Sequence, residues 1–227
     1  MGVPRAPLEG RRGKLLCWLT FSAIVGCVLL PTASTAASTP AVAPPRASLT
    51  AQWWKAYVSI PASEDPASRC DLGVDKVVFL GATTGVDPVS RSCTLPAGTS
   101  ILVPLINVEC SSLEEPPFFG RTPAERRACA EGFARDFTAL FLTINGVAVG
   151  DLSRLRVQST PFRFSPVEGN MFGIPAGTGG SVSDGYWARI GPLAPGTYDV
   201  SFGGSAQPPG EPVPVFSTSV TYHLTVV

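Results

Sequence analysis

Residues 140–149, Leu-Phe-Leu-Thr-Ile-Asn-Gly-Val-Ala-Val, form the stretch that decides the fold class. Aliphatic residues from Leu140 to Ile144 alternate with an aromatic residue and a threonine, which is the period of a strand with one apolar face. Asn145 and Gly146 favour a type I′ turn, because both of its central positions need positive φ. The stretch predicts a β-hairpin with two facing pairs on one apolar face: Ile144 with Val147, and Leu142 with Val149.

The C-terminal half of the chain repeats this pattern of short strands between turns. Pro195-Gly196 precedes one alternating segment, and a second alternating segment ends the chain. Five further strands are predicted, at 153–158, 161–165, 186–190, 197–203 and 214–226. Between them, residues 166–185 are rich in glycine and predict a long loop that is mobile or faces a ligand.

The N-terminal half adds two compact apolar runs, which predict buried strands at 76–82 and 100–108. Pro104 pushes the second strand toward a sheet edge or a bulge. Many short strands separated by glycine and proline turns predict a mainly β protein. We expect a β-sandwich, jelly-roll or immunoglobulin-like, with one or two short helices.

Two helices are predicted from their start signals. Residues 50–60 predict a short helix with Thr50 as a possible N-cap and Pro61 as its end. Thr122-Pro123-Ala124-Glu125 is a capping box and predicts a helix that runs to about Asp136. This second helix should turn one face to the core and the opposite face to solvent: Cys129, Phe133 and Phe137 on the first, and Arg127, Glu131 and Arg135 on the second.

The N-terminal residues predict an export signal. Residues 1–14 contain four basic residues and one acidic residue, and an apolar run then extends from Leu15 to Leu30. Small residues follow Pro31, so cleavage is expected after Ala36 or Ala37. The protein is then secreted or held in the cell envelope. Two alternatives stay open: an uncleaved membrane anchor over residues 15–37, and lipidation of Cys27 in Ile24-Val25-Gly26-Cys27.

The rest of the chain predicts one domain behind a short tether. Residues 38–50 are rich in proline, alanine and serine and predict a flexible linker, and residues 51–227 show no second linker or repeat. The segment 1–37 contains four of the 17 basic residues and one of the 17 acidic residues, so 13 basic and 16 acidic residues remain, a net charge of −3. Such a surface offers no polybasic patch to a membrane.

Four cysteines remain after the signal segment. An even number in an exported chain predicts two disulfides. Four cysteines allow three pairings, and the two that close the shortest loops are favoured: Cys70–Cys93 and Cys110–Cys129.

Composition excludes several classes of function. Charged residues make up 15% of the chain and the net charge is zero, so no nucleic-acid surface is expected. The one histidine, His223, lies in a predicted strand, where a structural or exposed position is expected rather than a general base. The chain lacks metal-ligand spacings, nucleophile motifs and dinucleotide loops, so neither a metal nor a cofactor is expected.

Short motifs spread over most of residues 53–204 carry a resemblance: Trp53-Trp54, Ile60-Pro61, Cys70, Val77–Gly81, Arg91–Gly98, Pro104–Asn107, Ile144–Gly146, Asp184–Trp187 and Pro192–Gly196. Through them the chain resembles a family of exported bacterial proteins with no assigned activity. The resemblance implies a bacterial cell-envelope protein and transfers no catalytic residue.

Candidate site residues are carboxylates, an amide and aromatic rings beside loops. Glu109, at the end of a predicted strand, is the leading functional carboxylate, with Glu114, Glu115 or Asp184 as its partner. Asn107 could bond a ligand. The large aromatic residues could stack on sugars or peptides if they are exposed: Trp53, Trp54, Tyr186 and Trp187.

Three functions follow from these residues. The first is a non-catalytic domain that binds an extracellular polysaccharide or protein. The second is a hydrolase of glycosides or other polymers, which needs two carboxylates in one pocket and a raised pKa on one of them. The third is a purely structural envelope domain whose aromatic residues are buried.

Overall fold

A computed structural model describes residues 39–83, 85 and 87–227. The predicted signal peptide, with its alternatives of a membrane anchor and a lipidated Cys27, lies outside the described residues. Neither α-helix in the described part of the chain is long and apolar enough to cross a membrane.

The described residues form eleven strands, two α-helices and three short 3-10 turns. The strands are β1 Val42–Ala43, β2 Gly73–Val74, β3 Val77–Phe79, β4 Val89–Leu95, β5 Ser100–Ser111, β6 Phe137–Ile144, β7 Val147–Ala148, β8 Phe162–Phe164, β9 Gly179–Ile190, β10 Gly196–Ala206 and β11 Phe216–Val226. The helices are α1 Ala47–Val58 and α2 Pro123–Ala134. The 3-10 turns are Ala62–Glu64, Pro66–Ser68 and Leu152–Leu155.

The strands build two mixed sheets, which confirms the predicted β-sandwich with few helices. The first sheet has the order β1-β9-β5-β3-β2, with β8 also pairing with β9. The second has the order β4-β11-β10-β6-β7. Only β3–β5 and β4–β11 are parallel among the paired strands described. The main core lies between the sheets and takes side chains from both, including Val103, Leu105, Phe202 and Tyr222.

The hairpin at 140–149 is confirmed in its turn and register. Asn145 and Gly146 have φ of 51° and 75°, and Ile144 lies opposite Val147. The predicted apolar face is wrong at one residue, since Val147 is 61% exposed. Its strand β7 has two residues and forms the edge of the sheet, so nothing packs over it.

Helix α1 begins earlier than predicted. Thr50 is not its N-cap but a buried residue inside it, whose hydroxyl donates to the C=O of Ala47 at 2.9 Å. Val42 and Ala43 pair with β9 at Ile190 and Arg189. Part of the segment predicted as linker is therefore ordered on the domain, because its short apolar residues find an edge of the first sheet.

Helix α2 starts at the predicted capping box, with Thr122 and Glu125 bonded reciprocally. Its buried stripe, the row of residues along the face that packs on the domain, consists of Arg126, Ala130 and Ala134. This stripe lies one position around the helix from the predicted one, which contained Cys129 and Phe133. Cys129 and Phe133 lie half-buried beside this stripe, and Phe137 belongs to β6. The stripe differs because small alanines let the helix lie close to β5 and β9.

Both predicted disulfides are confirmed, with Cα–Cα distances of 5.6 Å for Cys70–Cys93 and 6.1 Å for Cys110–Cys129. Two predictions of secondary structure are wrong, because residues 153–158 begin as a 3-10 turn and residues 179–185 belong to β9 instead of a loop. Strands β1, β2 and β4 were not predicted. In β9 the glycine and serine residues fit under covering segments, for example Gly180 under the guanidinium of Arg126.

Candidate functional site

Strand β5 carries Asn107 and Glu109, and a β-bulge decides which way they face. The register of β5 against β9 shifts between Pro104 and Ile106, so β5 has one extra residue there. Ile106 faces the second sheet, where its Cγ2 lies 3.0 Å from the position of a Cβ built on Gly204. Because side chains alternate along a strand, Asn107 and Glu109 face the other side. The bulge predicted at Pro104 is confirmed, and Pro104 also lies just beyond the part of β5 that pairs with β3, so β5 is a central strand only as far as Leu102.

Beyond Leu102, β5 loses its neighbouring strand on one edge. Strand β3 pairs only with Ser100–Leu102, and the last backbone bond runs from the N–H of Leu80 to the C=O of Leu102 at 3.0 Å. The Tyr222 hydroxyl then accepts from the N–H of Gly81 at 2.7 Å. This bond directs the chain away from β5 and toward the second sheet.

The same edge is covered again at Ser111. The N–H of Ser111 donates to the C=O of Phe118 at 3.0 Å, and the N–H of Gly120 donates to the C=O of Ser111 at 2.8 Å. Residues 103–110 of β5 therefore face a gap in the sheet, between the end of β3 and the 118–120 segment.

A cavity of about 260 Å³ lies at this gap. Its walls are mostly apolar and include five aromatic side chains: Trp53, Trp54, Phe118, Phe172 and Phe216. Phe118 is 37% exposed, and Phe172 and Phe216 are half-buried, so these three mark the mouth. Polar side chains complete the lining: Thr83, Asn107, Glu109, Glu114 and Thr218.

Glu109 and Glu114 are neighbouring carboxyl groups in this wall, close enough for one of them, when protonated, to bond the other. Glu109 is 3% exposed and also accepts a hydrogen bond from the Ser181 hydroxyl. Burial, followed by the charge of Glu114, raises the pKa of Glu109 well above its usual range, although Ser181 and the charge of Arg126 act in the opposite direction. Burial also raises the pKa of Glu114, whose carboxylate accepts from the Ser111 hydroxyl at 2.8 Å. Burial therefore favours the neutral form of both carboxyl groups, and the pair keeps protons to a higher pH than two free glutamates would.

Four polar atoms of the lining are buried without a hydrogen-bond partner in the described residues. They are Trp54 Nε1, Asn107 Oδ1, Glu109 Oε1 and Thr218 Oγ1. An unpaired buried polar group costs roughly 1–3 kcal/mol, and native interiors contain few of them. The cavity is therefore a place where several polar groups lack a hydrogen-bond partner within the described protein.

The predicted site residues divide into two groups. Trp53, Trp54, Asn107 and Glu109 come together at the cavity. The predicted partner Glu114 joins them, whereas Glu115 is exposed and does not line the cavity.

Asp184, Tyr186 and Trp187 lie elsewhere. Asp184 shares a face of β9 with Val182, toward α2, and the pairing of Glu109 with Asp184 is wrong because the two side chains take opposite faces of the sheet. Tyr186 packs against the core between the sheets, and Trp187 packs edge-on to Trp53 at 5.4 Å.

The three tryptophans do not form a surface platform. Trp53, Trp54 and Trp187 are all at least nine-tenths buried. Stacking of a sugar on an exposed tryptophan is therefore excluded, and Trp53 and Trp54 can meet a ligand only inside the cavity.

Sequence reasoning missed the aromatic residues at the mouth. Phe118 follows two prolines in a loop, Phe172 lies in the glycine-rich segment, and Phe216 begins β11. Large aromatic residues in loops were the available signal, but only the fold shows that these three distant segments meet.

A second polar cluster lies on the outer face of the second sheet. His223 Nδ1 is 2.7 Å from Asp199 Oδ1, and His223 Nε2 is 3.0 Å from Ser90 Oγ. The order of groups matches a serine–histidine–carboxylate relay. However, the side chains of His223 and Asp199 are 53% and 63% exposed, and the amides of β10 and β11 around them are paired in the sheet. This row of Ser90, His223 and Asp199 therefore lacks the exclusion of water and the free N–H donors that stabilise an oxyanion.

Comparison of the chain with protein-family models, with curated proteins and with solved structures finds no match. The resemblance to an uncharacterised family of exported bacterial proteins stays a prediction. Function must therefore be argued from the geometry of the cavity, the carboxyl pair and the open strand edge.

Proposed function

We propose that this protein is a non-catalytic binding domain of the bacterial cell exterior that holds its ligand in the cavity beside β5. The cavity itself carries the proposal. Protein interiors are close-packed, and voids much larger than a water molecule are few. A space of about 260 Å³ with aromatic walls and a few unmet polar groups has the composition of a ligand site.

The disulfides support both the location and the rigidity of this site. Two disulfides in a chain of this size are typical of oxidising compartments. Cys110 follows Glu109 directly, and its bond to Cys129 fastens the end of β5 to α2. A ligand would thus meet a wall that is already fixed, which lowers the entropic cost of binding.

A hydrolase is the second candidate, because the carboxyl pair and its raised pKa are features of acid–base sites. For glycosides the geometry argues against it. Retaining and inverting glycosidases hold their two carboxyl groups about 5–9.5 Å apart so that the sugar or water lies between them. Glu109 and Glu114 lie directly beside each other and leave no such space.

A purely structural domain is the third candidate, and the buried tryptophans favour it. It does not explain why aromatic residues surround a void instead of filling it. Binding inside the cavity accounts for both the burial of Trp53 and Trp54 and the space beside them.

Filling the cavity tests the proposal. Ala82 is a half-buried lining residue, so Ala82→Trp should place an indole in the space. Peptides, glycans and small aromatic compounds are screened by calorimetry against the native protein, and any ligand found should bind Ala82→Trp at least about tenfold more weakly. Thr94→Trp is the matched control, because Thr94 is exposed on β4 outside the cavity lining.

Two outcomes would contradict the proposal. One is a ligand that binds native protein and Ala82→Trp equally well. The other is steady turnover of a screened compound that Glu109→Gln abolishes, which would favour the hydrolase.

A further inference from the structure

We infer that the ligand is an extended peptide segment that adds to the open edge of β5 as a further strand. This inference rests on the proposed function, because it places the peptide in the same cavity. It is carried by the backbone of β5, and the side chains of the cavity then set which residues are accepted.

The register of the first sheet shows where the backbone groups of Asn107 and Glu109 point. Asn107 lies opposite Gly185 on β9, and Glu109 lies opposite Ser183. The C=O groups of Gly185 and Ser183 accept from the N–H groups of Val157 and Ser159, on the far side of β9. In an antiparallel pair, opposed residues either bond each other or both point away. Asn107 and Glu109 therefore direct their N–H and C=O groups toward the gap.

No described residue bonds these four backbone groups. Backbone groups inside a protein are nearly always paired, with protein, water or a ligand. Next along the edge, Pro104 has no N–H to offer, and Ser111 is already bonded to the 118–120 segment. The free backbone donors and acceptors therefore belong to Asn107 and Glu109. These residues are two apart in sequence, which is the spacing of the bonding groups along one edge of a β-strand.

A single peptide residue completes this pattern. Placed in the parallel sense of β3, its N–H donates to the C=O of Asn107 and its C=O accepts from the N–H of Glu109. Strand addition of this kind takes affinity from the main chain and specificity from pockets for alternate side chains.

The cavity sets the side chain that fits. In a parallel pair this peptide residue lies opposite Val108 and its side chain takes the same face, toward α2 and the second sheet, where Phe118 and Phe216 line the cavity. The residues before and after it face the walls formed by Trp54, Phe172 and Ile174. A cavity of roughly 150 Å³ holds benzene, so about 260 Å³ holds one large apolar side chain with the amides on either side of it. The occupant is thus an apolar residue within an extended peptide, and a sugar, which lacks alternating amides, does not match this edge.

Amide hydrogen exchange in the free protein tests the edge directly. The backbone groups of Val108 and Cys110 bond to β9, whereas those of Asn107 and Glu109 do not. The amides of Val108 and Cys110 therefore serve as an internal control for those of Asn107 and Glu109. We expect Asn107 and Glu109 to exchange faster than Val108 and Cys110 by about tenfold or more. Equal protection at all four residues would overturn the open edge.

Capped tripeptides test the ligand. The probes are acetyl-Gly-X-Gly-amides with Val, Leu, Phe or Trp at X, each paired with a version methylated on the nitrogen of X. At least one parent peptide should bind and slow exchange at Glu109, and its methylated partner should bind at least about tenfold more weakly because the donor to Asn107 is gone.

The outcomes separate the two proposals. If parent and methylated peptides bind equally, or if indole binds and no peptide does, strand addition is wrong and binding in the cavity stands. If all four peptides fail at millimolar concentration, strand addition is wrong. If the wider screen of aromatic compounds and glycans also fails, the proposed function is wrong as well.

Discussion

Glu109 and Asp184 lie on paired strands and are both buried, yet these two carboxylates have opposite kinds of hydrogen-bond partners. They are 3% and 2% exposed, respectively. Asp184 accepts from Arg156 Nε and Nη2, both at 3.0 Å, and from Gln158 at 3.1 Å. Glu109 meets the Ser181 hydroxyl and a second carboxyl group, Glu114.

The difference separates a structural group from a candidate site. A buried charge is tolerated when it is paired and fully hydrogen-bonded, as Asp184 is. Glu109 is buried without a hydrogen-bonded cation, and burial raises its pKa and so favours its neutral form. Asp184 holds the 156–158 segment on β9, whereas the Glu109 pair lies in the wall of a cavity that also contains unpaired polar atoms.

Neutralising Asp184 should produce the largest effect. Asp184→Asn keeps the shape but removes the charge that Arg156 needs, and we expect the free energy of unfolding to fall by about 2 kcal/mol or more. Urea denaturation measures this change. Asp71→Ala is the control, because it removes an exposed ion pair with Arg69 and should leave the midpoint unchanged.

The same substitution at Glu109 should cost little. Glu109→Gln puts a neutral group of nearly the same shape where burial disfavours a charge, so the free energy of unfolding at pH 7 should change by less than about 1 kcal/mol, or increase. If Glu109→Gln destabilises as much as Asp184→Asn, Glu109 is a stabilising buried charge of the same kind as Asp184, and the contrast between the two carboxylates is wrong.

The pH dependence gives a further test of Glu109. Because its pKa is raised in the folded state, the native protein keeps a proton that the unfolded chain releases above the usual glutamate pKa. Stability from this group is complete at low pH and falls as pH rises from about 4.5. The native protein should therefore lose stability relative to Glu109→Gln between about pH 4.5 and the raised pKa. A constant difference between the two proteins across pH 4–8 would contradict the raised pKa of Glu109.

The sequence predicted the parts of the fold that local chemistry determines. The Asn145-Gly146 turn, the capping box at Thr122 and the proline bulge at Pro104 each depend on a few adjacent residues. Strand β9 was missed over 179–185 because its glycine and serine residues have low strand propensity and form a strand only under tertiary cover.

The site was predictable in its residue types but not in its assembly. Glu109, the leading candidate, lies in the cavity wall, and so does Glu114, one of its proposed partners. Asp184 was a wrong partner because one bulge on β5 determines which face each carboxylate takes, and a one-residue change of register reverses every later side chain. The open edge depends on where Tyr222 and Gly81 meet, 141 residues apart in sequence.

Asp199 extends the comparison to an exposed carboxylate and should give the smallest effect. It bonds to His223, which in turn contacts Ser90, but the side chains of Asp199 and His223 are both more than half exposed. In water such a contact contributes little, and surface substitutions usually change stability by no more than about 0.5 kcal/mol. Asp199→Asn should therefore leave the urea midpoint unchanged within that limit.

The hydroxyl of Ser90 should also react with a fluorophosphonate no faster in the native protein than in Asp199→Asn, because water competes for the histidine and the paired amides of β10 and β11 cannot stabilise an oxyanion. Labelling of Ser90 that disappears in Asp199→Asn would show that this row is a working nucleophile, and would place catalysis on the outer face of the second sheet, away from the cavity.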